Sequence, residues 1–184
     1  FPALKCKVHD DVSSISFRLI VQNGYGGSAL RMHSGAIDFF CTNGMIRGDY
    51  ETMYRRHTSG LVIDHITDAL SSSLDNYTSA SKQWLEWSQR AAQREATIAM
   101  FRSFTTSDRV YEGLVDQWMV EREQRGNTMW SAYNALTYYA SHVEDGVFAM
   151  RAGNAENMTA TQLNRELQVT RFVASPAWKA YEAA

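Results

Sequence analysis

LVIDHITDALSSSLDNYTSASKQWLEWSQRAAQREATIAMFRSF, the stretch from Leu61 to Phe104, contains neither Pro nor Gly. A series at alternating spacings of three and four residues runs through it: Ile63, Ile66, Leu70, Ser73, Tyr77, Ala80, Trp84, Trp87, Ala91, Arg94, Ile98 and Phe101. Ten of these twelve positions are apolar, which decides for helix over strand. A continuous helix of that length would reach about 65 Å at the standard rise per residue. A compact domain of this chain length should be only about 35–45 Å across. The run is therefore expected either to break, near Ser71–Ser73 or Asn76–Ser81, or to project and pack on another chain. Trp84 and Trp87 lie on its apolar stripe, and a homo-oligomer through this helix is the expectation.

Downstream the punctuation stays helical. Ser107 suits an N-cap for a helix from Asp108 to Gln124, with Val110, Tyr111, Leu114, Val115 and Trp118 inward, and Gly126 ends it. Thr128 suits the cap of the next helix, to about Val143, with Trp130, Tyr133, Leu136, Thr137 and Ala140 inward. Asn134 on that stripe is expected to bond backbone from the sheet or a loop. Gly146 to Asn157 reads as a polar loop. A last helix starts at Thr159 or Thr161 and runs toward Phe172, and residues 175–184 read as a tail.

Upstream the period changes. Ile15–Gln22, Ser28–His33 and Ala36–Thr42 read as strands, separated by turns at Asn23-Gly24 and Ser34-Gly35. Asn43-Gly44 is a type I′ hairpin signal, and Met45–Tyr54 follows as a fourth strand bent at Gly48. The expected fold class is α+β: an N-terminal antiparallel β-meander packed against several helices, one unusually long. The expected organisation is a single domain over 1–184, with 1–58 mainly β, 59–174 mainly α and 175–184 the tail.

The net charge of −2 argues against a strongly basic binder, but the distribution is uneven. Up to Ser59 there are seven Lys or Arg against five Asp or Glu; from Gly60 onward there are eleven against fifteen. An anionic ligand is therefore directed toward the first part. The apolar fraction of 45% and charged fraction of 21% are those of an ordinary soluble fold. Aromatics reach 12%, the content of a well-filled core or of surface platforms for a partner. Cys6 and Cys41 lie far apart and read as reduced and buried rather than as a secreted scaffold. There is no signal-peptide pattern at the start and no apolar run approaching a membrane span, so the expected location is the host cytoplasm.

The loop Asn23-Gly24-Tyr25-Gly26-Gly27-Ser28 is glycine-rich, but no Gly-Lys-Ser/Thr opens a helix after it, so neither the P-loop nor the dinucleotide reading holds. What it offers is Tyr25, a ring on a loop, able to stack on a base as aromatic platforms do in single-strand binders. Tyr54-Arg55-Arg56-His57 sets an aromatic among cations just before the long helix, suited to phosphate contact and ring stacking. Arg31 and Arg47, on neighbouring strands, would extend the same positive strip. No zinc-ligand spacing, HExxH or G-x-S-x-G occurs, and Asp64 and Asp68 read as solvated carboxylates on a helix. No metal, cofactor or enzymatic activity is expected.

Three segments taken in order carry a resemblance. Gly-Ser-Ala-Leu-Arg (27–31) leads to Phe-Phe-Cys-Thr-Asn-Gly-Met (39–45). Arg55, Arg56, His57 and Thr58 form an Arg–His–Thr step. Trp130, Asn134, Ala135, Thr137, Tyr139 and His142 fall in one helix. Together, over about Ser14 to His142, they resemble a phage/plasmid-like protein family of unknown function (DUF932 type). Tyr25-Gly26-Gly27 departs from the Asp-Gly pair often found there in the family, so no acid role is carried over. The resemblance implies a cytosolic accessory to phage or plasmid DNA and no catalytic residue. With the charge pattern it gives the expected function, a sequence-independent single-stranded DNA-binding or annealing protein of replication or recombination. Its cations would neutralise phosphates, and Tyr25 and Tyr54 would stack bases. The alternative is a non-enzymatic protein-interaction module, such as a host-defence inhibitor or a structural phage component.

Overall fold

A computed structural model describes residues 5–6, 15–22, 31–38, 63–143, 146–149 and 155–184. Three short strands come first: β1 (Lys5–Cys6), β2 (Ile15–Gln22) and β3 (Arg31–Asp38), antiparallel in the order β1-β2-β3. The β2–β3 register pairs Ile15 with Asp38 and Gln22 with Arg31, so one eight-residue ladder runs through Ser34 and Gly35. The turn expected at Ser34-Gly35 is therefore absent: Arg31–His33 of the second expected strand and Ala36–Asp38 of the third lie in one strand. Asn43-Gly44 and the fourth strand, Met45–Tyr54, lie outside the described residues.

Six helices follow: α1 (Ile63–Gln89), α2 (Arg94–Phe104), α3 (Asp108–Arg125), α4 (Met129–Ser141), α5 (Ala155–Val173) and α6 (Pro176–Ala183), with a short 3-10 turn at Gly146–Phe148 between α4 and α5. The expected α+β class is corrected to all-α. The residues whose burial is described pack into a core that lies on these helices and in the short connections between them. The physical reason lies in where the large rings are. All five tryptophans (Trp84, Trp87, Trp118, Trp130 and Trp178) follow residue 83, and burying them within the helical half gives it a core of its own.

The punctuation expected of the helices is present. Ser107 accepts from the Val110 amide and Thr128 from the Ser131 amide, each satisfying an orphan donor of a first turn. Gly126 closes α3 at φ +82°, a left-handed backbone that favours glycine. The long run breaks, but at neither expected place. Ser71–Ser73 and Asn76–Ser81 stay helical inside α1, where Thr78 and Ser81 donate their hydroxyls back to the carbonyls of Leu74 and Thr78. The break is at Arg90–Gln93, and it is held from outside. The Ala92 amide donates to Asn127 O (3.1 Å), the Met129 amide to Arg90 O (2.9 Å), and Asn127 Nδ2 to Ala92 O (3.1 Å).

α4 is the centre of the body. Eleven of its thirteen residues are buried, as expected of a helix covered on all sides. Aromatic contacts run outward from it. Trp130 meets Trp84 (6.1 Å) and Tyr133 (5.6 Å); Tyr133 meets Trp87 (5.0 Å), and Trp87 meets Trp178 (5.0 Å). Each such pair contributes about 0.5–1.5 kcal/mol beyond its buried area. The expected tail is corrected as well. Residues 176–183 form α6, which opens on Pro176 behind a Ser175 cap and buries Trp178 and Tyr181 in the core. Trp84 and Trp87, expected at an oligomer face, are buried inside their own chain. The expected loop from Gly146 to Asn157 is shorter, because α5 begins at Ala155.

Candidate functional site

All seven residues expected to contact nucleic acid fall in the N-terminal part. Arg31 opens β3 opposite Gln22. Tyr25, Arg47, Tyr54, Arg55, Arg56 and His57 lie outside the described residues, so the strip they were expected to form has no described geometry.

The described body brings together a different polar set, one on each helix that flanks α4. On α3, the carboxylate of Glu121 accepts from Arg125 Nε (2.7 Å) on one oxygen and from Gln117 Nε2 (2.9 Å) on the other. The side chains of this ion pair are 0% and 1% exposed. On α5, Gln162 Nε2 donates to Glu166 Oε1 (2.9 Å), and Glu166 is fully buried. Both motifs are Gln-x-x-x-Glu, one helical turn apart, so the amide sits over the acid. Between them, Asn134 Nδ2 donates to Trp130 O (2.8 Å) within its own helix, rather than to a sheet or loop as expected. Buried carboxylates are the raw material of acid–base chemistry. Here Glu121 is closed off from water and both its oxygens are occupied by partners on α3 itself, so it braces its own helix rather than meeting a substrate. Sequence reading overlooked it, although Leu114, Trp118, Glu121 and Arg125 repeat the inward spacing of three and four.

A second cluster closes the C-terminal end of α4. Arg165 Nη1 donates to Tyr139 O (3.1 Å) and His142 O (3.4 Å), and Nη2 donates to Phe148 O (2.9 Å). The guanidinium also lies 4.7 Å from the Tyr139 ring centroid. It thus satisfies carbonyls that a helix end leaves without amide partners. Burial pushes the Arg165 pKa down; Tyr139 opposes that shift and Arg109 adds to it. Burial pushes the Tyr139 phenol up, with Arg165 opposing. Beside them His142 stacks on Tyr138, ring centroids 3.6 Å apart and nearly parallel. His142 Nδ1 lies 3.2 Å from Tyr138 O and 3.0 Å from Ser141 Oγ. Among the described residues no group of three His, Cys, Asp or Glu side chains is placed to hold a metal ion.

The family described as "Domain of unknown function (DUF932)" matches residues 5–169, most of the chain. The chain belongs to this family. No curated protein and no solved structure matches it. The DUF932 match takes in β1 through α4 and α5 as far as Val169, and α6 lies beyond it. Of the residues that carried the resemblance on α4, Trp130, Asn134, Ala135, Thr137 and Tyr139 are buried. Packing accounts for those positions in this DUF932 chain. His142 is only half-buried and caps the helix. No helix of the described residues is long and apolar enough to cross a membrane.

Proposed function

We propose that the chain is a non-enzymatic, sequence-independent single-stranded DNA-binding or annealing protein serving phage or plasmid replication or recombination. The helical body acts as scaffold, and the cations and rings between Tyr25 and His57 touch the strand. The observation that supports this reading is where five of the eight described guanidinium groups of the body go. Arg125 is buried on Glu121, and Arg165 is committed to three carbonyls. Arg90 donates to the Glu182 carbonyl. Arg102 pairs with Asp108 and lies over Tyr111, and Arg122 lies over Trp118. The rest of that half carries an excess of acids. A polyanion would therefore find its cations in the N-terminal part, where bases outnumber acids.

Fluorescence polarisation with a labelled oligo-dT tests the reading. If Arg31, Arg47, Arg55 and Arg56 neutralise four phosphates, affinity should fall roughly fiftyfold between 50 and 200 mM salt. Absence of binding at low salt would reject it. A protein-interaction module is the second reading, favoured by the exposed Met119 and Val120 on α3 and by the exposed Val147. It expects no salt-dependent DNA affinity.

A further inference from the structure

The break between α1 and α2 contradicts its own sequence. Arg90-Ala91-Ala92-Gln93 consists of strong helix formers, with no Pro or Gly to stop a helix. The 3,4-spaced stripe passes through Ala91 without interruption. Yet Gln93 is extended, at φ −79° and ψ 128°. The break is kept by partners on other elements. The connection before α4 holds Arg90 and Ala92 through the bonds to Asn127 and Met129. α6 adds Arg90 to the Glu182 carbonyl, Gln93 Nε2 to Ala184 O (2.7 Å) and Trp87 Nε1 to Glu182 Oε1 (2.7 Å). Local preference and tertiary structure thus oppose each other at four residues, a conflict that foldable sequences generally avoid.

Fusing α1 and α2 within one chain would pull Tyr77, Trp84 and Trp87, or else Thr97, Met100, Phe101 and Phe104, out of the core. Exposing several large apolar side chains costs far more than four helical residues return. A second copy of the chain removes the cost. If α1 docks on the partner copy, the contacts of Trp84 with Trp130, and of Trp87 with Tyr133 and Trp178, are remade across the pair. Only the hinge differs, and there the helix formers are satisfied. We infer that this chain forms a domain-swapped dimer in which residues 63–104 become one continuous helix and each copy's α1 completes the other's core. The partner is a second copy because the surface involved is the one that α1 already fills in the single chain. The inference stands apart from the ligand reading.

The test is light scattering on size-exclusion eluates after refolding the full chain at low and at high concentration. Dimer should accumulate at high concentration and dissociate only slowly on dilution, because leaving it requires undocking α1. Gln93→Pro fits the broken form, since −79° lies within proline's range, and it blocks the fused helix. It should lower the dimer-to-monomer constant by about a hundredfold per hinge, so roughly ten-thousand-fold for two. Ala91→Gly, at an exposed position, should lower it by about fivefold per hinge and serves if the proline variant does not fold. Asn127→Ala, which frees the Ala92 carbonyl, should raise it. A wild-type chain that stays monomeric at every concentration overturns the inference, and so does a dimer whose constant neither hinge variant changes.

Discussion

Arg125→Met should destabilise the protein by about 3–5 kcal/mol, because it leaves the Glu121 carboxylate buried with only Gln117 to answer it. The double variant Glu121→Leu with Arg125→Met should recover most of that loss, since no charge is then left inside. Urea unfolding midpoints of the two variants check the pair, and a double variant no better than the single would contradict this account of it. Tyr181 carries a pH dependence. Burial raises its phenol pKa, opposed by the hydrogen bond with Thr97 (3.0 Å) and by the charge of Arg90. A raised folded pKa favours the protonated form, so its contribution is complete below the ordinary value of 10.0 and is lost as pH rises through the folded value. Tyr181→Phe should cost about 1 kcal/mol at neutral pH. Above pH 10 its stability should fall less steeply with pH than the wild type's, as thermal melts across that range would show. The slope should persist in part, because Tyr139 is raised in the same sense.

Among the elements, Gly113 decides how the 3-10 turn at Gly146–Phe148 meets α3. A Cβ there would lie 2.8 Å from both Phe148 Cε1 and Val147 Cγ1, and Phe148 is buried with Tyr139 only 5.3 Å away. Gly113→Ala gains about 1 kcal/mol of helix propensity but forces overpacking that costs about 1–3 kcal/mol. A net loss of about 1 kcal/mol by chemical denaturation is expected. Caps were legible in the sequence because they are local: Ser107, Gly126 and Thr128 act on amides and carbonyls within their own turn. Leu114 and Trp118 of α3 and the inward stripe of α4 were legible through their spacing, whereas the buried Glu121 and Arg125 were not, because their polarity masks the same spacing. The position of the α1–α2 break was not, because the groups that impose it, Asn127, Met129, Glu182 and Ala184, are distant in sequence. For the same reason α6 looked like a tail: Trp178 and Tyr181 acquire their meaning only against Trp87 and Thr97. The Ser34-Gly35 turn signal was overruled by an eight-residue ladder with β2.

For the molecule as a whole, the large rings and the charge are divided differently along the chain. The rings build an α-helical body around α4, and that body commits Arg90, Arg102, Arg122, Arg125 and Arg165 to internal partners. The resemblance to DUF932 was readable because its segments keep their order from residue 27 to His142, and the family match spans residues 5–169. The α+β expectation gave too little weight to how far the helices build a core among themselves. The candidate site was legible only as residue types, since Tyr25, Arg47 and Tyr54 to His57 lie outside the described residues. The direct measurement is oligo-dT affinity at low salt for two charge reversals in otherwise wild-type protein: Arg55→Glu with Arg56→Glu, and Arg94→Glu with Lys179→Glu on the exposed surface of the body. The first should abolish binding while the protein stays folded, and the second should leave affinity within about threefold, as screened long-range charge allows. Equal losses from both, or a loss confined to the body, would contradict the placement of the ligand on the N-terminal part.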